Sequence, residues 1–224
     1  MRTEIKDPFL KKYMGKYEKW LEAEEIPFAS KVIPVSESID AKRCVLSGKQ
    51  ALDYVFRAET VALTHCACRS HYHRCDNPVE VCFLLNSSAE KGLSTGKARR
   101  VTREEAATVL RQADKRGLVH LTFVMPGNEM YAFCSCCSCC CHDLQLLRDY
   151  GRDHLTARSD WIAKTDADLC SHCGGCIERC VFGARLWSEE ISGHMVYDPA
   201  CCYGCGLCVS SCPSEAIVMA NTEE

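Results

Sequence analysis

Two copies of one cysteine pattern decide the fold of this chain: Cys170-Ser-His-Cys173-Gly-Gly-Cys176-Ile-Glu-Arg-Cys180 and Cys202-Tyr-Gly-Cys205-Gly-Leu-Cys208-Val-Ser-Ser-Cys212-Pro213. Each copy has the spacing C-x2-C-x2-C-x3-C, which wraps thiolates around a cubane [4Fe–4S] cluster. Three cysteines two residues apart, on a loop turned by small residues such as Gly174 and Gly206, can reach three corners of one cube. Structural zinc is more often held by separated pairs than by triplets at constant spacing. The pattern therefore predicts two [4Fe–4S] clusters.

The fourth cysteine of each copy is expected to cross to the other cluster, as it does in two-cluster folds. The predicted ligands of the first cluster are Cys170, Cys173, Cys176 and Cys212, and those of the second are Cys202, Cys205, Cys208 and Cys180. Spacing selects Cys202 over the adjacent Cys201, which we interpret as a spare thiol.

This stretch resembles the bacterial-type two-cluster ferredoxins over roughly residues 160 to 220. The match includes Pro213 after Cys212 and the Ser-Glu-Ala-Ile run that follows it. The resemblance implies a ferredoxin-like, pseudo-twofold 2[4Fe–4S] fold of two short hairpins and two short helices, which passes single electrons at low potential. Val181 departs from the family, which most often has proline at that position.

A second group of cysteines lies in the N-terminal part, on a segment with many turn-forming residues. Four of them have the spacing C-x-C-x6-C-x6-C: Cys66, Cys68, Cys75 and Cys82. Four thiolates are enough for one tetrathiolate site, and Arg69 and Arg74 would offset the negative charge of a bound cluster. Because zinc sites usually separate the first pair by two to four residues, the pattern favours iron–sulfur over zinc.

A third group places six thiols within residues 134–141. It contains a triplet with two-residue spacing: Cys134, Cys137 and Cys140. The fourth ligand would come from Cys44, from His142 or from the group between Cys66 and Cys82. Both N-terminal groups share one cluster or each holds its own, so we expect one or two further iron–sulfur clusters beyond the C-terminal pair.

The combined pattern is similar to that of uncharacterised iron–sulfur proteins of anaerobic bacteria and archaea, which implies further cluster chemistry but no particular substrate. The chain has 20 cysteines in 224 residues and begins without a signal peptide, so we expect a cytoplasmic protein of a reducing, anaerobic cell. Its apolar runs fall short of the ~20 residues that span a membrane. The net charge of −3 gives no sign of a nucleic-acid partner.

The fold class predicted is α+β, with a cysteine-rich N-terminal domain of mixed helices and hairpins over residues 1–160 and a ferredoxin-like domain over 161–224. Local patterns predict helices over residues 7–25, 47–58, 102–116 and 142–150, and hairpins over 118–133 and 184–197. The first helix is interpreted as packing on its own domain. A helix followed by a hairpin also forms the C-terminal part of winged-helix DNA-binding domains. The sequence defines no recognition helix, however, so DNA binding remains a minor alternative.

The chain has no Gly-x-Gly-x-x-Gly, no P-loop and no nucleophile with an ordered base, and we assign no catalytic residues. We predict an electron-transfer protein that passes single electrons to a redox partner protein or within a larger oxidoreductase complex. One alternative is a reductase whose N-terminal domain carries an open-coordination iron–sulfur cluster for a small substrate. Another is a redox-sensing regulator.

Overall fold

A computed structural model describes residues 4–35, 55 and 57–222 of this protein, and its helices and strands are numbered here along that described part. Cys44 and most of the helix expected over residues 47–58 lie outside the described residues. The chain divides into two compact units, and the boundary in the C-terminal half falls between Ala157 and Arg158. The α+β class is confirmed by the mixture of helices and sheets.

Helix α1 spans Pro8–Glu22 and begins as its sequence predicts. A side-chain oxygen of Asp7 accepts hydrogen bonds from the backbone amides of Phe9 at 2.8 Å and Leu10 at 3.2 Å. This cap satisfies amides that the first turn leaves without partners, and Pro8 has no amide to satisfy. Tyr17 is fully buried, so the helix packs on its own unit.

A seven-stranded sheet forms the body of the first unit, with strand order β4-β2-β3-β6-β5-β1-β7. Its strands are β1 Ser30–Ile33, β2 Val61–His65, β3 Glu80–Leu85, β4 Ala98–Arg100, β5 Val119–Met125, β6 Glu129–Cys136 and β7 Thr156–Ala157. The predicted hairpin is β5–β6, which lies inside this sheet and not at its edge as a wing would. Buried Phe83 and Phe133 pair across β3 and β6 in the core.

After α1, the helices of the first unit that lie fully within the described residues are α2 Ala67–Tyr72, α3 Asn86–Ser94, α4 Arg103–Lys115 and α5 His142–Tyr150. The Thr102 hydroxyl caps α4 by accepting from the Glu105 amide at 3.2 Å, as the sequence predicts. Helix α2 and strands β2 and β3 were not expected. Their segments are only five or six residues long, which is too short for a helical or alternating pattern to be recognised in the sequence.

The second unit repeats the order strand, helix, strand. Its strands are β8 Trp161–Thr165, β9 Arg185–Trp187, β10 Met195–Tyr197 and β11 Ile217–Asn221, and its helices are α6 Gly175–Arg179 and α7 Leu207–Ser210. The predicted hairpin over residues 184–197 is present as β9–β10. The other two-stranded sheet pairs the first strand with the last, β8 with β11, instead of forming a second hairpin.

Candidate metal centres

The first set of C-terminal cysteines surrounds one small pocket of the second unit. Cys170, Cys173, Cys176 and Cys212 all line it, and Met195 and Ile217 close it on the apolar side. Gly174 holds a left-handed φ of 79° immediately before α6, which turns the loop so that three of the sulfurs face inward. The structure thus brings together the four residues expected for the first cluster.

The second set surrounds a separate pocket. Cys202, Cys205, Cys208 and Cys180 line it, together with the aromatic rings of Phe182 and Tyr203 and other apolar groups. Cys180 belongs to the first motif and Cys212 to the second, so each fourth cysteine lies with the other motif's triplet. Cys201 is exposed and its sulfur lies 3.3 Å from a carboxylate oxygen of Asp198.

Arg185 is a buried cation between these two sets, and sequence reasoning missed it. Only 2% of its surface is exposed, and its side chain bonds the sulfurs of both Cys176 and Cys208. Burial opposes its charge, but nearby Cys208 and Cys176 outweigh that effect and raise the pKa of Arg185. The signal available in the sequence was a single arginine on a short strand between the two motifs.

The structure describes ten cysteines in the first unit, and they form two groups in space. Each group combines cysteines from distant parts of the sequence. The smaller group is a four-thiol group whose sulfurs all lie within 4.8 Å of one another: Cys75, Cys137, Cys139 and Cys140. It draws Cys75 from the loop after α2 and the other three from the turn between β6 and α5. The second group contains the other six.

These six cysteines form a closed ring of side chains, each in hydrogen-bond contact with the next: Cys66, Cys68, Cys141, Cys136, Cys134 and Cys82. We call it the six-thiol ring. Cys82 and Cys134 meet because they are opposite each other on β3 and β6. Cys134 and Cys136 share one face of β6 because strand side chains alternate. A register shift in β2 at Thr64/His65 directs the chain into Cys66.

The ring lines a cavity of about 200 Å³, whose walls also include aromatic and aliphatic side chains such as Tyr13, Phe123 and Tyr131. His142 also borders the cavity, with Nδ1 lying 3.0 Å from the Cys68 sulfur and Nε2 lying 3.0 Å from the Tyr17 hydroxyl. The walls of the cavity are therefore mainly apolar, and its main potential metal ligands are cysteine sulfurs, which are soft ligands.

Protons are shared unevenly around the ring. Hydrogen bonds from its two ring neighbours lower the pKa of Cys66, and the same cause lowers the pKa of Cys134. Burial raises the pKa of Cys141, but bonds from its neighbours outweigh this and bring it below the ordinary range. The three thiols between them donate those bonds, which raises their pKa values. Alternate sulfurs in the ring are thus the more acidic ones, and the thiolate is the form of cysteine that binds metal.

Arg69 lies between the six-thiol ring and the four-thiol group. It is 1% exposed, and its Nε and Nη2 lie 3.4 Å and 3.5 Å from the Cys137 sulfur. It also donates to the backbone carbonyls of Pro78 and Ser135. Burial opposes its charge, while the bond to Cys137 and the nearby thiols raise its pKa. The sequence predicted Arg69 as a charge partner, and the structure places it against sulfur.

Seven N-terminal cysteines were predicted as ligands, and the structure distributes them over both groups. Cys66, Cys68, Cys82 and Cys134 lie in the six-thiol ring, whereas Cys75, Cys137 and Cys140 lie in the four-thiol group. Three further cysteines complete these groups and were not assigned: Cys136, Cys139 and Cys141. The alternation Cys134-Ser-Cys136 at the end of a strand was the signal for one of them.

A buried Ser–His–Asp arrangement lies on the opposite face of β6 from the six-thiol ring. His120 Nε2 is 2.7 Å from Asp114 Oδ1, and the Ser135 hydroxyl is 3.2 Å from His120 Nδ1. None of the three is more than 2% exposed, so no substrate reaches the serine. We interpret the arrangement as a tie between α4, β5 and β6.

Comparison with known proteins supports iron–sulfur binding in the C-terminal part of the chain. Residues 195–218 match the family model of the 4Fe-4S binding domain. An uncharacterised ferredoxin of Methanocaldococcus jannaschii is 33% identical over 55 residues, which are 24% of this chain and 71% of the relative. Throughout the part of the chain that the structure describes, no helix combines the length and apolar character that crossing a membrane requires.

Proposed function

Because the chain belongs to the ferredoxin family of iron–sulfur proteins, we propose that it transfers single electrons through two [4Fe–4S] clusters, as a member or partner of a larger oxidoreductase system. The observation that carries the proposal is the gathering of eight motif cysteines around two separate pockets, with the fourth cysteine exchanged between motifs. That exchange is the arrangement of the pseudo-twofold two-cluster ferredoxins. A cluster bound at each pocket would supply one-electron redox chemistry.

The protein's own residues set the conditions for that chemistry. Apolar side chains such as Ile217 and Phe182 line the pockets and exclude water, which strengthens electrostatic effects. Reduction adds negative charge, and the buried guanidinium of Arg185 lies against a sulfur of each set. Arg185 therefore favours the reduced state at both sites and raises their potentials.

Electrons are proposed to enter and leave at the first set. Cys173 is exposed, whereas the four cysteines of the second pocket are half-buried or buried. Half-exposed Trp187 packs against Gly174 in the same loop, beside Cys173. An exposed sulfur next to an aromatic ring is a surface on which a redox partner protein can dock, since tunnelling requires close approach.

Iron counting on protein purified without oxygen tests the two C-terminal sites. Two cubanes contribute about eight irons per chain. We expect Cys173→Ala to remove part of this iron and alter the electron paramagnetic resonance spectrum of the dithionite-reduced protein. Cys201→Ala, a matched change at the spare thiol, is expected to keep all of it. Equal iron in the two variants would contradict the ligand assignment.

We further propose that the six-thiol ring holds an additional iron–sulfur cluster. Support comes from six converging buried or half-buried sulfurs, a cavity of about 200 Å³ and the nearby Arg69 cation. Cys66→Ala should then lower the iron content while leaving the signals of the C-terminal clusters unchanged. An unchanged iron content would show that the six-thiol ring does not hold an iron–sulfur cluster.

The cavity also favours a second candidate function, in which the additional cluster binds and reduces a small molecule. The cavity walls carry Tyr13, His65 and His142 besides the six sulfurs, so polar groups face the same space. Cyanide is a small ligand for an iron with an open position. We expect cyanide to shift the spectrum of the N-terminal cluster only if this second function is correct. The absence of a shift would leave electron transfer as the remaining proposed function.

A further inference from the structure

We propose that the four-thiol group of Cys75, Cys137, Cys139 and Cys140 binds a single zinc ion in tetrahedral geometry, separate from the iron–sulfur chemistry of this protein. Sulfur–sulfur distances within the group are 3.7 Å from Cys75 to Cys137, 4.0 Å from Cys75 to Cys140 and 3.8 Å from Cys139 to Cys140. A zinc–thiolate bond of about 2.3 Å gives a tetrahedron whose sulfurs are about 3.8 Å apart. The three separations therefore match one ion.

A cubane requires a wider arrangement because each thiolate binds a different iron at a different corner. The same chain offers the comparison. All four sulfurs of the four-thiol group lie within 4.8 Å of one another, and of the residues that the structure describes, neither C-terminal set of four cysteines meets that limit. Sulfur spacing thus separates a mononuclear site from the cluster sites.

The surroundings of the four sulfurs are those of a closed structural site. Arg69 donates to the Cys137 sulfur, and the Asn77 amide donates to the Cys75 sulfur at 3.4 Å. Four thiolates and one Zn²⁺ leave a net charge of −2, which these donors stabilise. Cys137 and Cys140 are buried and Cys75 and Cys139 are half-buried, and four thiolates fill the tetrahedron without the open position that a catalytic zinc needs.

The proposed ion would join two segments that are distant in the sequence. Cys75 lies after α2, where His73 adopts a left-handed φ of 50° and turns the chain, and the other ligands lie just before α5. Arg74 spans the same gap by donating to the Cys139 carbonyl at 3.1 Å and to the Gln145 side chain at 2.8 Å. Both contacts hold the turn that also supplies Cys136 and Cys141 to the six-thiol ring.

Zinc analysis with X-ray absorption at the zinc edge tests this site on the full chain. We expect about one zinc per chain with four sulfurs at about 2.3 Å. Cys75→Ala should lose the zinc, and Cys75→His should keep it with one nitrogen replacing a sulfur. Cys66→Ala, in the six-thiol ring, should leave the zinc in place.

Far-ultraviolet circular dichroism of the full chain, to which both units contribute, serves as the folding control for each variant. It should be unchanged in Cys75→Ala, which separates loss of this ion from unfolding of the first unit. A protein without zinc, whether iron or nothing occupies the four thiols, would overturn the proposal. Zinc retained in Cys75→Ala would overturn it as well. Neither result bears on the electron-transfer proposal, which depends on the eight C-terminal cysteines.

Discussion

At Gly204 the backbone leaves no room for a side chain. The residue has a φ of 72°, and an added Cβ would overlap the Trp161 carbonyl oxygen and lie 2.8 Å from the Ser159 Cβ. It lies between Cys202 and Cys205, so any shift of its backbone moves two proposed ligands. Close packing therefore makes this glycine part of the second metal centre.

We predict that Gly204→Ala destabilises the second unit by more than the roughly 1–2 kcal/mol that a left-handed backbone alone costs an alanine. Gly183→Ala is the matched control because Gly183 has a φ of 70° and nothing within 4 Å of an added Cβ. The free energy of unfolding and the iron content measure both variants. Equal losses would show that backbone conformation, and not the clash, dominates.

Arg69 supports a second prediction at the residue scale. Arg69→Met removes this donor from the buried carbonyl of Ser135 and the half-buried carbonyl of Pro78, which costs about 1–3 kcal/mol for each buried group left unsatisfied. It also removes the bonds to the Cys137 sulfur, and loss of such a partner typically weakens metal binding about 10–100-fold. Chemical denaturation and chelator competition measure the two effects.

The control for Arg69 is an arginine on the surface. Arg99 is 46% exposed on its side chain and pairs with Glu80 at 2.8 Å and Glu105 at 2.6 Å. Arg99→Met should cost less than about 1 kcal/mol, as exposed ion pairs do, and should leave metal affinity unchanged. A similar loss in both variants would argue against a special role for the buried guanidinium.

Among the elements, helix α4 contacts the sheet through a buried polar side chain at its C-terminal end. Asp114 accepts from His120 on β5, and His120 in turn contacts Ser135 on β6, between two cysteines of the six-thiol ring. The rest of the buried face of α4 is apolar, including Ala106 and Leu110. This helix therefore positions β6 and the cysteines on it.

Asp114→Ala is predicted to destabilise the first unit by about 1–3 kcal/mol, because it leaves the buried His120 nitrogen without a partner. Asp114→Asn keeps an oxygen at that position and should lose less. Glu104→Ala, on the exposed first turn of the same helix, should change stability by no more than about 0.5 kcal/mol. Unfolding measured by circular dichroism ranks the three, and any other order would show that this contact does not hold the helix.

The whole molecule consists of two units with separate cores and separate sets of sulfur ligands. Unfolding of such a chain is not expected to be two-state. We predict two transitions, one of which follows the visible absorption of the C-terminal clusters.

In that experiment Cys75→Ala should lower the midpoint of one transition and Gly204→Ala the midpoint of the other. Each kcal/mol lost corresponds to a few degrees for units of this size. Differential scanning calorimetry in the absence of oxygen, compared with the visible absorbance recorded over the same temperatures, resolves the two transitions. A single transition that both variants shift equally would mean that the two units unfold together.

The sequence alone determined the features that depend on neighbouring residues. The Asp7 cap of α1, the Thr102 cap of α4, the bounds of α5 and the β9–β10 hairpin all follow from contacts within a few positions. The C-terminal cysteine spacing belongs to the same class, since each triplet spans only seven residues. Local chemistry leaves little freedom at these places.

Only the tertiary structure decided how the N-terminal cysteines divide. Spacing grouped Cys75 with Cys66, yet its sulfur lies beside Cys137, which is 62 residues away. Pairing of β3 with β6 brings Cys82 to Cys134, and that register depends on the whole sheet. Because all cysteine thiols are chemically identical, the sequence does not show which of them come together. Their grouping depends on long-range strand pairing and helix packing, and a local sequence pattern holds no information about those contacts.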